Sequence, residues 1–93
     1  MTPVWRVLWD PSTGKDLRRL GRPASERLRE VILSRLAKNP RLGKPLETSS
    51  KAQLYRFRVG DYRVIYTLRD KECIILVLRI GHRREIYRRL PQP

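Results

Sequence analysis

The period of the apolar positions changes along the chain, and each change marks an element. Residues 4–9 (VWRVLW) are β-branched and aromatic, as a first strand would be. Asp10-Pro11 has the form of a helix N-cap followed by proline at the first helical position. A short helix is predicted behind it, with Leu17 and Leu20 on one face and its end near Gly21. Pro23 can open a second helix. Ala24, Leu28, Val31, Ile32 and Leu36 fall there at helical spacing and form one apolar stripe. Asn39-Pro40 stops it. Arg27, Glu30 and Ser34 occupy the opposite, solvated face. Two such stripes predict a helical hairpin packed on a sheet.

Residues 41–53 (RLGKPLETSSKAQ) read as a loop of small and polar groups. From Leu54 the period becomes two. LYRFRV places Tyr55, Phe57 and Val59 on one face, and Leu54, Arg56 and Arg58 on the other. YRVIYTL places Tyr62, Val64, Tyr66 and Leu68 on one face, and Arg63, Ile65 and Thr67 on the other. After the polar RDKE turn, CIILVLRI is almost continuously apolar, as a central strand covered on both sides would be. Gly81 is expected to end it. HRREIYRRL then reads as a short terminal helix or an extended arm.

A two-residue turn at Gly60-Asp61 would set the register. Val59 then pairs with Tyr62, Arg58 with Arg63, Phe57 with Val64 and Arg56 with Ile65. The aromatic residues face the helices, and Arg56, Arg58 and Arg63 share the other face. Like charges directly opposite one another disfavour a sheet. An anion between Arg58 and Arg63 would remove that penalty, and a phosphate is the natural one. The alternative is two long side chains splaying into solvent.

Charge gives this face a context. The chain has 93 residues, the size of one domain, with 22 Lys+Arg against 9 Asp+Glu and a formal net charge of +13. The basic residues are mostly arginine and are spread over both halves. Such an imbalance implies a polyanionic partner, and arginine suits bidentate phosphate contacts and stacking on bases. The one cysteine, Cys73, excludes an intramolecular disulfide and is expected to be a buried structural thiol. One histidine cannot build a His-rich metal site, and neither a metal nor another cofactor is expected. The apolar start is short and is broken by Arg6 and Asp10, unlike a signal peptide. No run reaches membrane-spanning length. A soluble, reduced, cytoplasmic protein is expected, with no membrane partner.

The segment after the last strand brings His82, Arg83, Arg84, Glu85 and Tyr87 within a short stretch. Metal-free RNA cleavage needs a base for the 2′-hydroxyl, positive charge for the strained phosphate and an acid for the leaving oxygen. Arginine supplies the charge but titrates too high to carry protons near neutrality. His82 has the best intrinsic pKa. Arginines around Tyr87 could lower its phenol. Glu85 and Glu47 are the available carboxylates.

LYRFRVGDYRVIY, followed by a charged turn, an apolar strand and IGHRREIY, resembles the RelE/ParE superfamily of toxins, and within it the RelE branch. The two helices, the GKPL loop and the length also fit, so the resemblance covers nearly the whole chain. It implies an α+β fold, with an N-terminal strand, a two-helix hairpin and a four-stranded, mainly antiparallel sheet over residues 1–93. It implies a toxin of a toxin–antitoxin system: a ribosome-dependent, metal-independent endoribonuclease that cuts mRNA in the A site. The partners would be a RelB-like cognate antitoxin, mRNA and the ribosome near the 16S rRNA of the A site. By position, Arg56 and Arg58 match the basic residues of the second strand, and Arg63 the phosphate-holding arginine. Arg83 matches the basic residue after the last strand's glycine, and Tyr87 the tyrosine that stacks on a base. His82 precedes the expected arginine by one position and could be the acid. Arg84, Lys51 and Arg88 are expected to add RNA contacts. Related toxins use a glutamate as base, and Glu47 lies in the corresponding region. The ParE branch shares the fold but inhibits DNA gyrase without cutting. It generally lacks this set of residues. An inactive RNA- or ribosome-binding module would carry the same charge.

Overall fold

A computed structural model of the chain describes residues 4–46 and 53–86. Strand β1 (Arg6–Trp9) leads through Asp10 into helix α1 (Pro11–Leu20) and then α2 (Arg22–Val31). Strands β2 (Lys44–Leu46), β3 (Leu54–Val59), β4 (Tyr62–Arg69) and β5 (Ile74–His82) follow, in the sheet order β1-β5-β4-β3-β2. The β1–β5 pair is parallel and the others are antiparallel. Among the described residues no helix is long and apolar enough to cross a membrane.

Local chemistry explains the helix boundaries. The Asp10 carboxylate accepts from the Ser12 N–H at 3.0 Å and the Ser12 hydroxyl at 2.8 Å. Those bonds, the backbone one first, hold its pKa below the usual 3.8. Gly21 ends α1 at φ 86, a backbone conformation that suits glycine. Behind α2 the chain widens into a π-helical turn over Ile32–Leu36, closed by Ala37 N–H donating to the Ile32 carbonyl at 3.1 Å.

The helices cover one face of the sheet. Leu28, Ile32 and Leu36 pack there on Phe57, Val59, Val64, Tyr66, Ile75, Val77 and Ile80. Tyr55 stacks on Tyr66 with centroids 5.4 Å apart. Val77 and Ile80 share this face because of a bulge. Ile65 pairs with Arg79 but Tyr66 with Val77, so Leu78 is the extra residue and resets the alternation of β5. The opposite face carries a second, smaller cluster of Leu54, Ile65 and Ile86, with Leu46 and Leu78 against it.

Among the described residues the edge of β5 beyond Trp9 has no strand beside it, and α1 takes over its polar groups. The Thr13 hydroxyl donates to the Val77 carbonyl and the Ser12 hydroxyl to that of Leu78, each at 2.9 Å. The buried Asp16 carboxylate accepts from the Ile80 N–H and from Arg79 Nη2, each at 3.0 Å. These bonds fix α1 against the strand that leads to the site.

Three expectations need correction. The sheet has five strands rather than four, because Lys44–Leu46, read as loop, pairs with Leu54–Arg56. Proline is tolerated there because β2 is an edge strand. Strand β5 does not end at Gly81 but runs on to His82, held by pairing to Tyr62. Cys73 is only half-buried; it stands before β5 in a left-handed conformation, φ 54. As for the terminal helix or arm, its described part turns back at once, with Glu85 N–H donating to the His82 carbonyl at 2.9 Å.

Candidate functional site

The site begins at the β3–β4 hairpin. Gly60 adopts φ 57, and the two-residue turn gives the expected register: Val59 faces Tyr62, Arg58 faces Arg63, Phe57 faces Val64 and Arg56 faces Ile65. Phe57 and Val59 are buried under the helices, while Arg56 and Arg58 are exposed on the other face. Arg63 folds back over the turn. Its Nη1 donates to the Gly60 carbonyl at 3.2 Å and to the Tyr62 carbonyl at 3.1 Å. Both bonds use one nitrogen, leaving the rest of the guanidinium fork for a ligand.

A cleft of about 360 Å³ opens at this edge of the sheet. Strand β2 accompanies β3 only as far as the Lys44–Arg56 pair, so the edge at Phe57 and Arg58 is left uncovered among the described residues. The cleft is lined by Arg56, Arg58 and Arg63 from the hairpin, Lys44 from β2, and Arg35 from the π-helical turn. Leu42, Gly43 and Phe57 complete it, and no carboxylate is among these residues. The Arg35 guanidinium lies 5.5 Å from the centroid of the Phe57 ring.

One buried phenol shapes the wall behind Lys44. The Tyr66 hydroxyl accepts from the Gly43 N–H at 3.0 Å and donates to the Pro40 carbonyl at 2.8 Å. Burial pushes this phenol up to about 12, although the Gly43 bond pulls the other way. A Cβ at Gly43 would lie 2.5 Å from the Tyr66 hydroxyl oxygen and 2.6 Å from the Arg56 carbonyl oxygen. Only glycine allows the chain to approach β3 and β4 this closely.

The structure separates the residues after the hairpin. Gly81 pairs with Arg63, and Ile86 lies over Gly81, on the arginine face with Ile65. His82 pairs with Tyr62 and meets its ring edge-on at 6.2 Å, so it belongs to the helix-side face, away from Arg58 and Arg63. The His82 Nδ1 accepts from the Arg84 N–H at 3.3 Å. The Arg83 N–H donates to the Asp61 carbonyl at 2.8 Å, which ties this segment to the hairpin turn. Arg83, Arg84 and Glu85 are exposed. Glu47, Lys51, Tyr87 and Arg88 lie outside the described residues.

Arg35 and Lys44 were absent from the expected set. Lys44 would have been found by reading GKPL as a strand, since its register sets it opposite Arg56. For Arg35 the sequence offers no signal, because it sits beside an apolar stripe on what reads as ordinary helix surface.

Chemically, the cleft is a cation-lined slot suited to a phosphate. Carbonyl bonds hold Arg63 and the Phe57 ring holds Arg35 before a ligand arrives, and groups so placed stabilise charge that develops during a reaction. Among the described residues it contains no imidazole and no carboxylate.

Comparisons with known proteins agree in one direction. Residues 7–87 match the family described as the ParE toxin of the type II toxin–antitoxin system parDE. The chain is 31% identical over 86 residues to Toxin RelG of Mycobacterium tuberculosis, covering 91% of this chain and 98% of that protein. It is 35% identical over 88 residues to Toxin RelE of the same organism, covering 94% and 90%. Among solved structures, the toxin–antitoxin complex RelBE2 of M. tuberculosis superposes with a TM-score of 0.80 at 25% identity, covering 88% and 94%. The RelE–RelB complex of the archaeon Pyrococcus horikoshii gives 0.62 at 30% identity, covering 89% and 97%.

Proposed function

The chain belongs to the RelE/ParE superfamily of type II toxin–antitoxin toxins, and from that premise we propose that it is an endoribonuclease that cuts ribosome-bound mRNA in the A site. The observation that carries this reading is the opposed Arg58–Arg63 pair, set in a slot whose described lining residues include five cations and no acid. Like charges set opposite one another disfavour the sheet, and an anion between them removes that cost. The scissile phosphate is that anion. The 2′-hydroxyl gives up its proton and its oxygen attacks the adjacent phosphorus. The P–O5′ bond breaks, its electron pair leaves on the 5′ oxygen, and that oxygen takes up a proton. Arg58 and Arg63 stabilise the charge gathered on the phosphorus oxygens. Arg56 and Arg83 add to the field along the strand. No metal is assigned a part in these steps.

For the proton transfers, the placement of His82 on the helix-side face weighs against it as the acid. Tyr87 and Glu47 are then the preferred carriers from the sequence. Arg84, Lys51 and Arg88 would contact RNA outside the slot. The partners are a RelB-like antitoxin, which would block the same basic face, and the ribosome near the 16S rRNA of the A site. The cytoplasm is the compartment this implies.

The test is a translating extract supplied with the purified protein, with mRNA ends mapped by primer extension. New ends at A-site codons are expected. Intact mRNA with folded protein refutes the reading. Arg63→Ala is expected to slow cleavage roughly 10²–10³-fold, the effect of removing one preorganised donor. A second reading rests on the matching family being described as ParE toxin: binding and inhibition of DNA gyrase without cleavage. Loss of gyrase supercoiling at protein concentrations that leave mRNA intact would select it.

A further inference from the structure

We propose that His82 is a positioning residue for Arg83: its neutral imidazole accepts from the Arg84 N–H and holds the turn after β5, and protonation of the ring releases that turn. This rests on the nuclease reading above. It makes the reaction sensitive to acid through a ring that transfers no proton to the RNA.

Two fasteners of the turn end on His82. Its carbonyl accepts from the Glu85 N–H at 2.9 Å, and its Nδ1 from the Arg84 N–H at 3.3 Å. Arg83 follows it, exposed, with its own N–H on the Asp61 carbonyl at 2.8 Å. The turn then sets the buried Ile86 over Gly81, where a Cβ would stand 3.2 Å from Ile86 Cδ1. The backbone bonds do not titrate, and the ring bond does. Nδ1 accepts only while it carries no proton, because both nitrogens of an imidazolium are donors. An imidazole changes charge between pH 5 and 8.

Groups of both signs face the ring. Helix α1 brings Asp16 and Arg19, β5 brings Arg79 and the turn brings Glu85, and all four line one small cleft with His82. Its volume of about 40 Å³ has room for water, so protons can reach the ring. Strand β4 brings Tyr62, met edge-on. Asp16 is committed to the Ile80 N–H and to Arg79. Protonation adds a charge beside Arg19 and Arg79, and Glu85 is the carboxylate that can draw the imidazolium away from the Arg84 N–H. The ring bond has the spacing of an Asx turn, in which a side chain accepts from the backbone two residues on. Asparagine carries Oδ1 at the same number of bonds from Cβ as histidine carries Nδ1. His82→Asn therefore keeps the acceptor and removes the titration.

The experiment has two readouts, each taken at pH 8 and pH 5.5. The first is solvent exchange of the Arg84 amide by NMR, divided by the rate of an unstructured peptide at the same pH. In the wild type, protection is expected to fall about 2- to 12-fold on acidification, the worth of one ordinary hydrogen bond. In His82→Asn it is expected to stay constant, and in His82→Ala to be low at both pH values. The second is single-turnover mRNA cleavage on stalled ribosomes. The ratio of wild-type to His82→Asn rates is expected to fall on acidification, and this ratio cancels proton transfers common to both. His82→Asn is expected to cut faster than His82→Ala at both pH values. Wild-type protection that ignores pH overturns the proposal. So does a His82→Asn protein that cuts as slowly as His82→Ala, which would make the ring a proton carrier. Protection that follows the ring's charge, in a wild type that leaves mRNA uncut, would refute the nuclease reading alone.

Discussion

Removing one oxygen atom from Tyr66 tests how the wall of the slot is built. Tyr66→Phe leaves the buried Gly43 N–H without its acceptor at 3.0 Å and the Pro40 carbonyl without its donor at 2.8 Å. Pro40 is partly exposed and can turn to water, so the cost falls mainly on Gly43. A buried donor left unsatisfied costs about 1–3 kcal/mol. For a domain of this size that lowers Tm by about 4–8 °C per kcal/mol. The pH dependence gives an independent reading. The folded-state value of about 12 lies above the ordinary 10.0 of the phenol, so the folded protein keeps its proton longer than the unfolded chain does. The stability this contributes is complete below pH 10 and is lost as the pH rises from 10 toward 12. Its slope is about 1.4 kcal/mol per pH unit across that window. Urea unfolding followed by tryptophan fluorescence from pH 8 to 11.5 measures both quantities. The wild type is expected to lose stability above pH 10 faster than Tyr66→Phe, so that the two curves converge. A variant as stable as wild type at pH 8, or curves that stay parallel through the alkaline range, would show that the hydroxyl does not hold the Pro40–Gly43 segment.

Other perturbations probe the supports of the site. Asp16→Ala removes the acceptor for the Ile80 N–H and the partner of Arg79, whose buried Nε already has no hydrogen-bond partner among the described residues. Breaking a buried ion pair by deleting one partner costs about 3–5 kcal/mol, a large share of the stability of a domain this size, and chemical unfolding checks it. A loss below about 1 kcal/mol would contradict the edge-capping role. Ile86→Ala opens a cavity over Gly81 and Ile65 and is expected to cost about 2–5 kcal/mol. Amide exchange at Arg83, bonded to Asp61, is expected to accelerate in the same variant, and an unchanged rate would uncouple the segment from its anchor.

The parts legible in the sequence were those written in short-range chemistry. The Asp10-Pro11 start, the Gly21 end and the Gly60-Asp61 turn each depend on one or two residues, and the hairpin register follows from the turn alone. That register was enough to place Arg56, Arg58 and Arg63 on one face. What escaped was long-range. Strand β2 has three residues with a proline in the middle, too short for any alternation, and exists only because β3 lies beside it. The extension of β5 to His82 depends on Tyr62, and it moved the histidine to the helix side. The bulge at Leu78 is invisible in an unbroken apolar run, yet it decides which of Val77, Ile80 and Gly81 faces the helices. Arg35 joins the slot only through the packing of the π-helical turn against β3. The arginine face was therefore readable, and the second wall of the slot was not.

The nuclease reading meets its most direct test in single-turnover assays on purified ribosomes stalled with a defined A-site codon. Added protein should cut the mRNA within that codon, leaving a 2′,3′-cyclic phosphate and a 5′-hydroxyl. Arg63→Ala should fold normally and cut roughly 10²–10³-fold more slowly. Uncut mRNA with folded wild-type protein, or equal rates in wild type and Arg63→Ala, would contradict it.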